Sequence, residues 1–394
     1  MTRRLFIFLV EKPFSKNDIS KYGVDILSKN GFSVEVWDIG RLSMASYKKQ
    51  ENNSELKIKY FSTYSEFGLA IAELSLFDVI LSLVGISVEQ GWPYRKFRSY
   101  LFSGSAKIAA ITNGHSPFHK WPTVCEKLSE IKHSQVNFWE KLRRFLGLLE
   151  YQLKVVIGGG ITLLGRYKLD YLFSGVSTQG IDTLILGNRT KIFHVHNLDA
   201  DLLLAVERKG LLCNPNKVVY LDSMGPLHPE VVAYNMPFSI EPKQFFASNF
   251  KCIDYLAKKM KLSCVIAAHP RSQSGQLDSY FPGYSVVHNQ TADLVAQSVI
   301  VIAEPSLSLG MAVWFKKPII LLWHENLPFW NKQILRAFQE ELGCAVWDVA
   351  DEKTWVTPRV DPLSYDRYRE NYLKKPGTTE KPFWEFVAEK LLRA

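Results

Sequence analysis

The stretch Leu262–Trp323, LSCVIAAHPRSQSGQLDSYFPGYSVVHNQTADLVAQSVIVIAEPSLSLGMAVWFKKPIILLW, alternates short apolar runs with helix-period segments and places polar residues where the runs stop. Val265–Ala268, Val286–Val287, Val299–Ala303 and Pro318–Leu322 read as buried strands. The first ends at His269-Pro270-Arg271, because Pro270 cannot donate to a sheet ladder. Between the runs, Thr291–Gln297 and Ser306–Phe315 carry helical spacing, with Thr291 and Ser306 in N-cap position. The pattern predicts a parallel sheet, whose ligands sit at the carboxyl ends of its strands. Those ends carry His269, Arg271, Glu304, Ser306 and Ser308.

The chain has 394 residues, of which 47% are hydrophobic and 22% charged, which suits two globular domains better than one. It contains no apolar run long enough to span a bilayer, and Leu5–Val10 is too short for a signal-peptide core, so a cytoplasmic protein is expected. The five cysteines are scattered and never in C-x-x-C spacing, which argues against a disulfide framework and a zinc site. A formal charge of +9 favours anionic partners. It is spread along the chain without any zinc-finger, homeodomain or RNA-recognition signature, so nucleic acid is not among the expected partners.

The amino-terminal half opens β-α-β: a strand over Leu5–Val10, a helix over Lys16–Asn30 and a strand over Phe32–Trp37. The turn after the first strand, Glu11-Lys12-Pro13-Phe14-Ser15, lacks the glycines of a dinucleotide-binding loop, which argues against a nicotinamide enzyme. Asp78–Val84 and Lys107–Thr112 are further strands, the latter leading to His115, and residues 52–58 read as a loop or edge. From Trp121 to Tyr171 the pattern is helical. Within it, residues 138–146 combine aromatic residues with a cationic cluster, which suits an anionic membrane surface. The same letters suit a surface helix whose Trp139, Leu142, Phe145, Leu146 and Leu149 face the core, the commoner arrangement.

Val155–Ile157 before three glycines, Thr183–Leu186 and Lys191–Val195 are strand candidates. His194, His196, Asp199 and Asp201 lie close enough in sequence to suggest a metal, but strand-end histidines and helix-capping aspartates account for the same letters. Asn214-Pro215-Asn216 is turn chemistry, and the expected division is into domains 1–214 and 215–394. The strand Val218–Leu221 then places Asp222 at the carboxyl end of the second domain's first strand.

Two similar-sized β-α-β halves, a strand ending in Ala268-His269-Pro270-Arg271, and Ser306-x-Ser308 opening a helix resemble bacterial surface-polysaccharide glycosyltransferases of the GT-B fold. The segment Tyr220–Glu230 joined to Val265–Arg271 is similar to retaining β-Kdo transferases, which use CMP-activated sugars. The resemblance implies two Rossmann-like α/β domains facing a central cleft, an acceptor-side first domain and a donor-binding second one. It also implies a last helix that crosses back to the first domain, a CMP-sugar donor, and an oligosaccharide or lipid-linked glycan acceptor. Peripheral contact with the inner membrane would follow from a lipid-linked acceptor. A sugar-nucleotide epimerase of the same fold and a non-catalytic assembly protein are the alternatives.

The chemistry asks for these residue types independently. A CMP-sugar presents one phosphodiester and, for Kdo, a carboxylate, which hydroxyls, helix-start amides, histidine and arginine can hold without a metal or other cofactor. Ser306, Ser308, His269, Arg271 and Lys374 are the expected donor contacts, with Pro270 fixing the turn and His269 able to assist departure of CMP. Asp222 would be the nucleophile if configuration is retained, or the general base if it is inverted. Glu11, ending the first strand of the other domain, is the expected partner carboxylate, and His115 and His196 are acceptor-side candidates.

Overall fold

The computed structural model describes residues 4–43, 56–84, 93–112, 168–175, 186–228 and 240–393, with the single positions Pro117, Trp139, Leu142, Phe145, Leu146, Leu149 and Val231. They form two compact α/β units, one running to Val195 and resuming at Thr378, the other spanning His196–Gly377.

The first unit is built on seven parallel strands: β1 (Arg4–Val10), β2 (Phe32–Asp38), β3 (Lys57–Tyr60), β4 (Val79–Ser82), β5 (Lys107–Thr112), β6 (Tyr171–Ser174) and β7 (Lys191–His194). Their order is β3-β2-β1-β4-β5-β6-β7. Phe6, Ile7, Phe8 and Leu9 of β1 are all fully buried, as a central parallel strand covered on both faces requires. The polar residues expected as a loop or edge contribute the edge strand β3, whereas β6 falls at the end of a region that reads as helical. Its four buried residues, YLFS, are too short a run to declare a period. The expected strand Val155–Ile157 and most of Thr183–Leu186 lie outside the described residues, as does His115.

The single helix expected over Lys16–Asn30 is two, Lys16–Lys21 and Val24–Lys29, because Gly23 between them is left-handed at φ 55°. A Cβ there would stand 2.3 Å from the Trp384 ring. Trp384 belongs to the closing helix Phe383–Arg393, meets Phe6 and Phe8 edge-on, and donates its indole N–H to the Lys21 carbonyl at 2.9 Å. The end of the chain thus returns to complete the first unit's core, as the resemblance implied.

The second unit has six parallel strands: β8 (Lys217–Leu221), β9 (Ser263–Ala267), β10 (Ser285–Val287), β11 (Ile300–Ala303), β12 (Ile319–Trp323) and β13 (Ala345–Asp348), ordered β10-β9-β8-β11-β12-β13. Alternate strand residues feed two hydrophobic layers. Val219, Leu221, Val301 and Ala303 pack with the helices Leu198–Arg208, Thr291–Gln297 and Leu309–Trp314, while Val218, Tyr220, Ile300 and Ile302 pack with the long helix Pro242–Met260. The division between units precedes the expected boundary at 215, because Ala200, Leu203 and Val206 of helix Leu198–Arg208 are buried in the second unit's core. Two helix starts also shift. Thr291 is the first helical residue and not the cap, and the helix expected from Ser306 begins at Leu309 behind Ser308.

Candidate functional site

In the second sheet each of the six strands ends at, or within two residues of, a titratable side chain. Across the carboxyl edge in spatial order stand His288 after β10, His269 after β9, Asp222 after β8, Glu304 after β11, His324 after β12, and Asp348 closing β13. The chain order reverses between β8 and β11, so Asp222 and Glu304 flank the switch point where open α/β sheets bind their ligands. In the first sheet the reversal falls between β1 and β4, and Glu11 follows β1.

Asp222 is 6% exposed. Its Oδ1 accepts from the backbone N–H of Met224 at 2.9 Å and its Oδ2 from that of His269 at 3.3 Å, so both oxygens are fixed by the main chain. The first bond requires a tight turn, in which Met224 and Gly225 are both left-handed, at φ 61° and 43°. A non-glycine residue in that region is uncommon and marks a backbone held by its surroundings. At Gly225 a Cβ would lie 2.4 Å from the Phe245 ring, so glycine is required there on both counts. Burial pushes the Asp222 carboxyl up to about 6, against the two backbone donors and nearby His288, which favour its charged form.

Glu304 lies beneath the same edge, 3% exposed. Its Oε1 accepts from the Tyr220 hydroxyl at 2.6 Å and the Asn249 amide at 2.5 Å, and that amide also donates to the Tyr220 oxygen at 3.0 Å. Asn249 Oδ1 in turn pairs with His324 Nε2 at 2.7 Å. Burial lowers the His324 imidazole to about 4, so it is neutral and Nε2 carries the hydrogen toward the amide oxygen. Oε2 of Glu304 has no hydrogen-bond partner within normal distance, and the Ser223 hydroxyl near the carboxyl favours its charged form. Burial first, then the charge of Asp222, push Glu304 up to about 7.

Around this pair stand the other residues singled out in the sequence. The His269 ring packs edge-on against His228 with centroids 5.1 Å apart, and its Nδ1 accepts from the Arg271 backbone N–H at 3.2 Å. Pro270 and Arg271 are exposed in the same turn. Ser306 Oγ accepts from both the backbone N–H and the hydroxyl of Ser308. Lys374 ends the π-helical turn Arg369–Leu373, and that turn packs on helix Leu309–Trp314, where a Cβ on Gly310 would lie 2.8 Å from Leu373. The second unit therefore brings Asp222, His269, Pro270, Arg271, Ser306 and Ser308 to one sheet edge.

His196 is not on that edge. It is fully buried at the first residue of the second unit, with Nδ1 on the Asn197 carbonyl at 3.0 Å and Nε2 on Asp201 at 3.2 Å. Its neighbours cap the helix Leu198–Arg208 through Asn197, and no group of three or more His, Cys, Asp or Glu among the described residues is arranged to hold a metal ion. Asn249 and His324 have no place in the sequence reading. The signal for Asn249 was present: it is the polar member of the buried stripe Phe245, Phe246, Cys252, Ile253 and Leu256.

Of the five apolar residues expected to face the core in segment 138–149, Leu142 is half-buried and the other four do not face it. Trp139, Phe145, Leu146 and Leu149 are exposed, Trp139 by 75%, while the basic residues of 138–146 lie outside the described residues. No helix among the described residues is long and apolar enough to cross a membrane.

No protein-family model matches this sequence, and neither does any curated protein. Solved structures do. A variant of the wall teichoic acid polymerase TagF aligns over 99% of this chain and 88% of its own, at 11% identity and a TM-score of 0.50. The UDP-GlcNAc 2-epimerase of Methanocaldococcus jannaschii aligns over 99% and 100%, at 11% identity and 0.46. The glycotransferase of kitacinnamycin aligns over 100% and 99%, at 10% and 0.47. The likeness to TagF is one of fold, two α/β units of this kind in one chain.

Proposed function

We propose that the chain is a glycosyltransferase that moves Kdo, or a related nonulosonate, from its CMP-activated form to a surface oligosaccharide or lipid-linked glycan. The observation that carries this reading is Asp222, a carboxylate at the switch point of the second sheet, aligned by a backbone N–H on each oxygen and flanked by imidazoles and hydroxyls suited to an anionic donor. The second unit is the donor side in this reading and the first the acceptor side.

The phosphodiester and carboxylate of the donor take hydrogen bonds from His269, Arg271, Ser306, Ser308 and Lys374, the charged groups contributing most. CMP is a good leaving group once His269 has eased its departing charge, so the reaction as proposed needs no metal. Asp222 then attacks the anomeric carbon to give a glycosyl-enzyme that the acceptor hydroxyl opens, or takes the proton from that hydroxyl in a single displacement. The stereochemistry of the product distinguishes the two routes. Glu11, ending the central strand of the first unit, is assigned to the acceptor. The test is incubation with CMP-Kdo and oligosaccharide acceptors, read by mass spectrometry for the added sugar and by NMR for its anomeric configuration.

A further inference from the structure

Asp222 and Glu304 are two buried carboxyls at neighbouring strand ends, and they are held differently. Each oxygen of Asp222 accepts a backbone N–H, so neither is favoured as the site of a proton. On Glu304 the two donors converge on Oε1, from Tyr220 and Asn249, and leave Oε2 with none. An oxygen already facing two hydrogens cannot take a third in the same plane, whereas Oε2 can hold one and turn it toward Ser223. Like charges buried close together do not both ionise freely, and one of the pair keeps a proton to higher pH.

We propose that Glu304 is a positioning residue for Asp222: it takes the proton of the carboxyl pair on Oε2, so that Asp222 is the member left ionised. The claim that this matters for turnover rests on Asp222 acting in glycosyl transfer, while the claim about the proton does not. Of the surrounding groups, the Tyr220 and Ser223 hydroxyls favour a charged Glu304, while burial and the charge of Asp222 favour its proton. Asp222 has Tyr220 on its own strand, Glu304 across from it, and His269 and His288 on the other side. Glu304 has Tyr220 and Asp222 from β8 and Cys252 from helix Pro242–Met260. The nearest imidazole on its side, His324, reaches it only through the Asn249 amide and is neutral, so no cation there offsets a charge on Glu304.

The test is a pH titration of the side-chain carboxyls by carbon-13 NMR in the full chain, with the two signals assigned from Asp222→Asn and Glu304→Gln. In the parent protein Glu304 should titrate at the higher pH. Glu304→Gln keeps the acceptor on Oε1 and places an amide where the proton sat, so the Asp222 midpoint should stay within about half a unit. Asp222→Asn removes the charge that holds the Glu304 proton, and the Glu304 midpoint should fall by about one unit. The proposal is overturned if Asp222 titrates above Glu304, if Glu304→Gln lowers the Asp222 midpoint by a unit, or if Asp222→Asn leaves Glu304 unmoved. The last arm decides even where Glu304→Gln does not fold. A loss of turnover in Glu304→Gln as deep as that of Asp222→Asn would also overturn the proposal, because Glu304 would then be a reacting group and not one that acts through Asp222. If the parent protein transfers no sugar, the glycosyltransferase reading fails and the titration still decides where the proton sits.

Discussion

Replacing Asp222 with Asn removes a charge whose cost the structure allows to be worked out. The folded carboxyl is raised from 3.8 to about 6 by burial, and a difference of roughly two units corresponds to about 3 kcal/mol. Because the folded value lies above the unfolded one, the parent protein has this contribution in full below about pH 4. It loses the contribution as pH rises through about 6. Asn also loses something: its amide nitrogen would face the His269 N–H that Oδ2 now accepts, a mismatch costing about 1–3 kcal/mol. That mismatch is independent of pH, so the comparison across pH isolates the charge. Urea unfolding of both proteins at pH 4 and pH 8 should show the variant gaining about 3 kcal/mol on the parent over that interval, with Glu304 adding in the same direction. A stability difference that is the same at both pH values would refute the argument that Asp222 is held desolvated.

Three further outcomes follow from other parts of the molecule. His269→Ala should weaken binding of the CMP-sugar about 10–100-fold, the loss of one hydrogen bond to a charged group, measured by calorimetry. An unchanged affinity would move the donor away from the β9 end. Gly23→Ala forces a side chain into the left-handed region against Trp384 and should lower stability by about 2 kcal/mol or more, seen as a fall in Tm, whereas an unmoved Tm would mean the closing helix is not seated there. The exposed Trp139, Phe145, Leu146 and Leu149, set among the basic residues of segment 138–146, should bind vesicles of anionic lipid at low ionic strength and release them as salt rises, and sedimentation that shows no binding removes the membrane contact.

Much of the second unit can be read from the sequence because a buried parallel strand is a short apolar run that must stop where the sheet stops. The residue after the run is then a site candidate by position alone: Asp222, His269 and Glu304 are found this way. Seeing Glu304 at a strand end does not show what it does. Its role depends on Tyr220, which reads as one more apolar strand residue, and on Asn249, from a helix 55 residues away in sequence. His324 is not found this way, because the apolar run reads as ending at Leu322, one residue before β12 stops at Trp323. β6 and β13 are not legible in the sequence, because four-residue strands beside helical segments carry too little pattern to separate from them. The boundary at Asn214-Pro215-Asn216 is a genuine turn, with Asn214 Oδ1 accepting from the Asn216 N–H, but a turn between a helix and the strand it covers does not divide a domain. His196 illustrates the remaining limit: Asp201 stands in the helix that follows it in sequence, but the complete burial of the ring is set by packing that these letters do not show.

The central claim is that Asp222 carries out sugar transfer from a CMP-activated donor. The direct measurement incubates the parent chain and Asp222→Asn with CMP-Kdo and an oligosaccharide acceptor and follows CMP release and acceptor mass together. The account predicts one added Kdo per CMP released by the parent, with turnover in the variant reduced on the order of 10²–10⁴-fold while donor affinity is kept. Transfer by Asp222→Asn at the parent rate under saturating substrates would contradict it.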